Sequence, residues 1–544
     1  MLKNILSLIK NIKFLYILLL CVNLCVIVYH FSNKKTFHVD EQWSYAHANS
    51  NNGAFLDKDI DSFFKLTDNI RNRLFNQKIE GRIFHNYLTV QKEDIFTYNN
   101  IYKNLAKDVH HQLYHILLHT ISSFYPDTFS KWFAGSLNLV FFVFLYIAVY
   151  KLAKLTFKDE RLALLTVAFY GFSKISIDMV IFLRMYTLQT LCGVCLMYQS
   201  LKILENNRAT KKDLFLVFLY SFLGIFTQYS SIFFSLVVSI VTCLISLKRK
   251  QYKLMFYYGT AIFLSVCILF IVFPNSYDVL INSSHSVGIL NRMKQNSRDL
   301  MPFLSLIDDK NKIFFKTIFS HLFNFDSINI SIITFSVIMM IFCIFYFKIK
   351  LQTTTICMII IILLYAFYLI YMPYMFDYTS RYYMLIMPFI AILSISGINY
   401  VLYSMKLKDN YRFIILAILI FINSYFYVYN KKSVYSFTLT KSEIQTLNKI
   451  KNKTIFLNTP NIITWVHSLS YILKDAKEVF IFDNICDESA IKLVNNTENY
   501  FIITHRTFPG LPFQDNTIQC FDDSIFANKS NFCAGIFCYN IFEK

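Results

Sequence analysis

Two adjacent carboxylates, Asp40 and Glu41, follow the first long apolar segment of the chain in the stretch from His38 to Trp43. A carboxylate within hydrogen-bond reach of a hydroxyl group can accept its proton, and a second one can orient the substrate or shift the pKa of the first by repulsion. An acidic pair beside a membrane helix can equally be ordinary surface charge. It becomes a candidate active site only if other reactive residues join it.

A second group of reactive residues begins at Asp108 and His110, continues through His111 and Gln112, and leads into a helix that carries His115 and His119. Carboxylate and imidazole together can bind a divalent cation or a phosphate, but one Asp-x-His motif does not identify a metal. Metal dependence therefore stays open, with a divalent cation as an option. The two acidic segments border the same loop and can converge on one pocket at the membrane surface.

The elements around these residues are predicted to be membrane helices. Of the 544 residues, 55% are hydrophobic and 16% are charged, and the mean hydropathy is +0.43. One soluble core cannot bury so much apolar surface, which indicates a polytopic α-helical membrane protein. Eleven apolar windows are long enough to span a bilayer: 14–31, 132–150, 162–182, 185–203, 213–229, 230–247, 254–273, 328–347, 353–373, 382–402 and 412–430. No cleavage site follows the first, so we expect it to be retained.

Lys and Arg are concentrated in every second connection between these windows, which predicts that those connections and the N-terminus are cytoplasmic. The basic connections carry Lys151/Lys154/Lys158, Lys202/Arg208/Lys211/Lys212, Lys248/Arg249/Lys250/Lys253, Lys348/Lys350 and Lys406/Lys408/Arg412. This orientation accounts for much of the net charge of +19, so no nucleic-acid partner is expected. We expect a multi-pass protein of the cell membrane, the inner or plasma membrane of a bacterium.

Three large segments then lie outside: the first outer loop 32–131, the second outer loop 274–327, and a tail 431–544. An amphipathic pattern between residues 55 and 78 predicts an interfacial helix in the first loop. Strand-sized apolar runs at 454–457, 479–482 and 500–504 alternate with helical stretches, which predicts a small extracytoplasmic α/β domain after the transmembrane domain 1–430. The tail carries Cys486, Cys520, Cys533 and Cys538, which allow disulfides in three pairings, with zinc the lesser alternative.

The order of the motifs resembles the GT-C superfamily of integral-membrane glycosyltransferases, and within it the bacterial branch related to protein mannosyltransferases and the aminoarabinose transferase of lipid A. The matching motifs are Asp40-Glu41, Asp108-Val109-His110, Arg184-Met185-Tyr186, Thr227-Gln228-Tyr229 and Ser380-Arg381-Tyr382-Tyr383 with Pro388. The chain departs from the pattern at His111-Gln112, where many relatives have two prolines, and at 180–183. These departures leave the subfamily and the sugar open.

The resemblance implies transfer of a sugar from a polyprenyl-phosphate donor to a hydroxyl group of a lipid, polysaccharide or protein at the outer membrane face. Asp40 is the expected general base and Glu41 its assistant. Arg381, Arg184 and Tyr382 are expected at the donor phosphate, because a guanidinium binds phosphate oxygens in pairs. Asp108 and His110 are expected to hold phosphate or a metal.

Two other functions remain as alternatives at this stage. A polysaccharide polymerase or ligase would also use lipid-linked glycans, but would not require Asp-Glu directly after the first span. A transporter or flippase of lipid-linked sugars would be expected to place its charged residues near the bilayer midplane and to show internal repeats. The sequence shows no convincing repeat.

Overall fold

The structure is a computed structural model that describes most of the chain. The described residues are 11–51, 53, 75, 77–106, 110–277, 322–323, 352–371, 380–430, 435, 437–459, 466–507, 520–521, 526, 528–534 and 537–544. The window 328–347, residue Asp108, most of the second outer loop and nearly all of the interfacial helix predicted from 55 to 78 lie outside them.

Helices dominate the first 430 residues. In chain order they are α1 (Ile12–Ser32), α2 (Val39–Asn49), α3 (Gly81–Leu88), α4 (Asn99–Leu105), α5 (Gln112–Ser123), α6 (Lys131–Phe157), α7 (Glu160–Gly171), α8 (Lys174–Ile181), α9 (Tyr186–Asn206), α10 (Lys211–Ile225), α11 (Ser230–Lys248), α12 (Tyr252–Val272), α13 (Thr353–Tyr371), α14 (Ser380–Tyr383), α15 (Met387–Ser404) and α16 (Asp409–Asn430). Short 3₁₀ turns occupy Lys92–Asp94 and Met384–Ile386. Each predicted apolar window within the described residues therefore coincides with helical structure.

Several of these helices can cross a bilayer. Within the described part of the chain, five segments are long and apolar enough: α1, α6, α11, α12 and Arg381–Ser404. Helices α7 and α8 together form a sixth candidate, bent by 58° at the break between them, and Thr353–Leu369 is a shorter apolar helix. The chain is thus a multi-pass, mainly helical membrane protein, and the predicted total of eleven spans stays a prediction.

The end of α1 is fixed by a lysine from another helix. Lys131, the first residue of α6, donates from Nζ to the carbonyl oxygens of Phe31, Ser32 and Lys34 at 2.9, 3.1 and 2.7 Å. The last carbonyl groups of a helix have no partner within it, and a cation at this end also interacts favourably with the helix dipole. Lys131 therefore anchors the segment between the end of α1 and Asp40 at its first residues.

The helix ends gather into two groups. At one end, the basic connections contact each other: Lys158 pairs with Glu205, and Arg249 donates to the Leu204 carbonyl oxygen and to Asn207 Oδ1. Helices α1, α6 and α8 meet at the opposite end, close to α2. Helices α6, α9 and α11 end at the basic connections, and α7, α10 and α12 begin there.

The tail contains a mixed sheet that also takes in one strand of the first outer loop. Its strands are β1 (Lys78–Glu80), β2 (Thr454–Asn458), β3 (Glu478–Phe482), β4 (Tyr500–Thr507), β5 (Asn528–Ala534) and β6 (Phe537–Glu543). Their spatial order is β1-β3-β2-β4-β6-β5, with β2 parallel to both β3 and β4 and the other pairs antiparallel. Helices α17 (Lys441–Lys449), α18 (His467–Leu473) and α19 (Glu488–Asn495) accompany it. The tail is therefore joined by hydrogen bonds to the loop that carries Asp40.

Two disulfides stabilise the tail, as the even number of cysteines allowed. Cys486 bonds to Cys520, and Cys533 bonds to Cys538 across the β5–β6 hairpin. Three strands lie where the apolar runs predicted them, at β2, β3 and β4. Strand β1 was not predicted, since a three-residue strand has no periodicity to detect.

Candidate functional site

Helix α2 carries the acidic pair, and its first turn is held by a capping box. His38 is the N-cap residue: its Nδ1 accepts from the Asp40 N–H at 3.1 Å, and the His38 N–H donates to Glu41 Oε2 at 2.7 Å. This reciprocal pair satisfies backbone donors that would otherwise have no partner at a helix start. The box fixes Asp40 and Glu41 relative to each other.

Glu41 is fully buried and makes contacts in several directions. Its Oε1 accepts from the Leu183 N–H at 2.8 Å and lies 3.0 Å from Nζ of Lys34, which is also fully buried. Burial raises the pKa of Glu41, and the Lys34 ammonium and the Leu183 and His38 N–H groups oppose that rise. Lys34 also donates to the Tyr435 carbonyl oxygen at 2.6 Å. Glu41 thus connects the start of α2 to the segment before Arg184.

Asp40 forms an ion pair with Arg381 across 341 residues of sequence. The Asp40 residue is 9% exposed, and His38 Nδ1 lies 3.7 Å from its Oδ1. Burial by itself would raise the pKa of Asp40, but Arg381, with smaller effects from His38, Arg184 and His110, holds the pKa well below its usual range. Asp40 is therefore ionised across the neutral range.

Arg184 is 1% exposed and joins three parts of the site. Its Nη1 donates to the Asp40 carbonyl oxygen at 2.8 Å and to Ser44 Oγ at 3.1 Å, and its Nη2 lies 2.5 Å from His110 Nε2. A guanidinium can only donate, so His110 Nε2 accepts. Arg184 thus places a positive charge next to the first turn of α2.

His110 leads the second group of reactive residues into the same site. Its backbone forms an isolated antiparallel bridge with Gln228, and its ring lies 6.2 Å from that of His47 on α2. The described residues, which do not include Asp108, contain no group of three or more His, Cys, Asp or Glu side chains that could hold a metal ion. His110 Nε2 thus binds Arg184, and Asp108, which the sequence pairs with His110, lies outside the described residues.

Tyr382 lies beside Arg381 at the start of the late membrane segment. The Arg381 guanidinium carbon lies 5.2 Å from the centre of the Tyr382 ring, and that ring meets Tyr186 edge-on at 6.3 Å. A cation over an aromatic face is stabilised by the ring's electron density. The structure thus brings together Asp40, Glu41, Arg184, His110, Arg381 and Tyr382 from the predicted set.

A separate cleft of about 600 Å³ lies between the first outer loop and the tail. Charged residues make up most of its lining, including Arg82, Asp127, Lys451 and Lys477, together with His85. The residues predicted for catalysis do not line it. The carboxylate site and this cleft are therefore two separate features.

Sequence reasoning missed several residues that position the acidic pair. Lys34 is one of them, and nothing in the sequence around it marks it as the buried partner of Glu41. The capping box was missed because a histidine occupies the position that Ser or Thr usually takes. The contacts of Leu183 and Gln42 could not be found, since a backbone N–H and a distant helix leave no sequence signature.

No protein-family model matches the sequence, and no curated protein matches it either. Among solved structures, the chain is similar to ArnT from Cupriavidus metallidurans bound to undecaprenyl phosphate, with a TM-score of 0.49 and 9% identity over 97% of each chain. It is also similar to the oligosaccharyltransferase AglB from Archaeoglobus fulgidus in complex with an inhibitory peptide and a dolichol-phosphate. That match has a TM-score of 0.45 and 10% identity over 91% of this chain and 69% of the other.

Proposed function

We propose that this protein transfers a sugar from a polyprenyl-phosphate donor to a hydroxyl group of a lipid, polysaccharide or protein acceptor at the outer membrane face. The observation that carries the proposal is the ion pair between Asp40 and Arg381. It combines a group that can accept a proton with one that can bind a phosphate, at the end of a membrane helix where a lipid phosphate would lie. The capping box and Arg184 support it by fixing Asp40 in place.

Donor binding would free the base. Arg381 is paired with Asp40, and a carboxylate whose pKa is held low is a poor proton acceptor. When the donor phosphate binds Arg381, it competes with Asp40 for the guanidinium. The pKa of Asp40 then rises toward the value that burial favours. The base becomes effective only when the donor is in place.

The transfer step is a displacement at the anomeric carbon of the donor sugar. The acceptor hydroxyl oxygen forms a bond to that carbon while its proton passes to the Asp40 carboxylate. The bond between the anomeric carbon and the phosphate oxygen breaks, and its electron pair leaves with the polyprenyl phosphate. Arg381 stabilises the charge that develops on the leaving phosphate, as fixed cations do in other transferases.

The other predicted site residues receive positioning roles in this scheme. Glu41 and Arg184 hold the first turn of α2 through its capping box and the Asp40 carbonyl oxygen. His110 orients Arg184 through Nε2. Tyr382 supports the Arg381 guanidinium through its ring face and is expected to border the donor phosphate. Asp108 is retained as a candidate for the phosphate or a divalent cation.

The orientation in the membrane is part of the proposal. We place the basic end of the helices in the cytoplasm, by the rule that cytoplasmic loops are rich in Lys and Arg. The N-terminus is then cytoplasmic, and the acidic site and the tail 431–544 face outward across eleven spans of the cell membrane. The two disulfides in the tail are compatible with an oxidising compartment.

The proposal is tested by comparing lipid-linked sugars in cells with and without the gene by mass spectrometry. Transfer predicts that the acceptor gains the mass of one sugar only when the gene is present, and that the polyprenyl-phosphate sugar accumulates when it is absent. Identical glycolipid and glycoprotein profiles in the two strains would contradict the proposed function.

A further inference from the structure

Helix α2 is held from the tail side as firmly as from the membrane side. Gln42 is fully buried, and its Nε2 donates to the Ser468 carbonyl oxygen at 2.7 Å. Its Oε1 accepts from the Tyr471 N–H at 3.1 Å. One side-chain amide thus makes both of its strongest hydrogen bonds to the backbone of α18, which belongs to the tail.

The neighbouring residue adds a second contact with the same helix. Trp43 Nε1 lies 3.0 Å from His467 Nδ1, and the Tyr87 hydroxyl of α3 lies 2.6 Å from the same nitrogen. An indole N–H can only donate, so His467 Nδ1 accepts. Residues of α2 and α3 in the first outer loop therefore converge on the first residue of α18.

Helix α18 is itself fixed to the sheet of the tail. Ser468 Oγ is hydrogen-bonded to the hydroxyl of Tyr539, a fully buried residue of β6. The side chains of Leu469 and Leu473 are fully buried in the same core as Ile455 and Val479. The β5–β6 hairpin behind this contact is closed by the Cys533–Cys538 disulfide. The backbone groups that bind Gln42 thus belong to a helix that is itself packed on the sheet of the tail.

The helical period places the two sets of contacts on different faces of α2. Successive residues turn by about 100° around a helix axis, so Asp40 and Ser44 share one face while Gln42 points away from it. Arg184 binds the first face through the Asp40 carbonyl oxygen and Ser44. The tail binds the other face of α2, through Gln42. Asp40 is thus fixed between the membrane helices and the tail.

We infer that the tail positions the reactive carboxylate, with Gln42 as the residue through which it acts, and that sugar transfer depends on this contact. Misplacement of a reacting group by about 1 Å can cost a factor of about 100 in rate, so a loosened α2 lowers turnover without removing any group that touches the substrate. The inference rests on the proposed function and assigns the tail a role in the chemistry itself.

The test compares Gln42→Met with the wild type in hydrogen–deuterium exchange and in transfer kinetics. The variant keeps the side chain's length and removes both hydrogen bonds to α18. We expect faster exchange in residues 39–49 and 467–473. We also expect a kcat lowered by about tenfold or more with the donor KM little changed, because the phosphate site at Arg381 stays intact.

Gln199→Met is the matched control, since Gln199 is also a buried glutamine whose Nε2 donates to one partner, Asp213, near the basic connections. It should leave exchange in 39–49 and kcat at the wild-type level. Trp43→Phe provides a second variant that loses the bond to His467 and keeps an aromatic ring. It should change exchange and kcat in the same direction as Gln42→Met, and to a smaller extent.

The outcomes separate the inference from the proposed function. If the wild type transfers sugar and both α2 variants match it in kcat, the tail has no positioning role, whatever the exchange data show. An equal loss of kcat in Gln199→Met would also overturn the inference, because the effect would then be general destabilisation. If the wild type itself transfers no sugar, the proposed function fails. Unchanged hydrogen–deuterium exchange in Gln42→Met would, independently of activity, contradict the claim that Gln42 holds α2 against the tail.

Discussion

At the scale of single residues, the proposed chemistry depends on a carboxylate and a guanidinium that stay paired until a substrate binds. Asp40 and Arg381 are both largely shielded from water, so breaking the pair is costly unless another polar or charged group takes the place of the lost partner. A lipid phosphate is such a replacement for Arg381, and an acceptor hydroxyl is one for Asp40. The pair is therefore suited to open when both substrates bind.

Replacing Arg381 with methionine should weaken binding of polyprenyl phosphate about tenfold to a hundredfold, since hydrogen bonds to charged groups contribute about 1.5–3 kcal/mol. Titration of the purified protein with polyprenyl phosphate, followed by native mass spectrometry, measures this. Arg412→Met is a matched control, because Arg412 also pairs with an aspartate, Asp409, and also lies over a tyrosine ring, at 5.0 Å from Tyr403. Equal losses in the two variants would show that Arg381 has a structural role and does not bind the phosphate.

The pH dependence of sugar transfer tests the role of Asp40 in the same ion pair. Burial favours a high pKa for Asp40, and Arg381 is the main group that opposes it. Without Arg381 the pKa of Asp40 rises, so the acid limb of kcat/KM for the residual transfer should move to higher pH, since this limb reports the essential base of the free enzyme. A limb that does not move in Arg381→Met would show that Asp40 is not that base.

At the scale of elements, the predictable parts were those with strong periodicity. Apolar windows predicted the membrane helices, and short apolar runs predicted β2, β3 and β4. The three residues of β1 and the histidine-capped start of α2 could not be predicted, because pairing with a strand some 400 residues away and an unusual cap leave no local pattern. The contacts of Gln42 and Trp43 with α18, which hold α2 against the tail, leave no local pattern either.

The junction between loop and tail leaves no room for an added methyl group at Gly81. A Cβ built on Gly81 would lie 2.0 Å from the Ala476 carbonyl oxygen, a backbone atom that cannot swing aside. We expect Gly81→Ala to destabilise the folded protein by about 1–3 kcal/mol, as overpacking does. Thermal unfolding of the detergent-solubilised protein measures this.

Gly259→Ala is the control for that substitution, since a Cβ at Gly259 of α12 meets no atom within 4 Å. Its melting temperature should equal or slightly exceed that of the wild type, because alanine is the better helix former. If Gly81→Ala has the same melting temperature as Gly259→Ala, the junction is packed less tightly than the structure indicates.

At the scale of the whole molecule, charge separates the two ends of the helices. The basic connections meet at one end through Lys158, Glu205 and Arg249, and the reactive pair lies at the other with the tail over it. The concentration of Lys and Arg in every second connection between apolar windows predicted this separation of charge. The convergence of Arg184, Arg381 and the tail on α2 could not be predicted, since it depends on contacts between segments far apart in the sequence.

The orientation can be measured by labelling introduced cysteines. Ser489→Cys places a thiol at an exposed position in the tail, and Arg208→Cys places one at an exposed position in a basic connection. A membrane-impermeant maleimide added to intact cells should label the first and reach the second only after the membrane is permeabilised. Labelling of Arg208→Cys but not Ser489→Cys in intact cells would reverse the proposed topology.

The most direct test of the whole account is sugar transfer by Asp40→Asn. Asparagine keeps the shape of the side chain and cannot accept the acceptor's proton, so transfer should fall by about 10²–10⁴-fold with abundance and membrane insertion unchanged. Mass spectrometry of glycolipids and glycoproteins from cells that express the wild type, Asp40→Asn or the control Asp409→Asn gives the measurement. The account predicts that Asp409→Asn restores the sugar-bearing product and that Asp40→Asn leaves the donor unused. Wild-type levels of product with Asp40→Asn would contradict it.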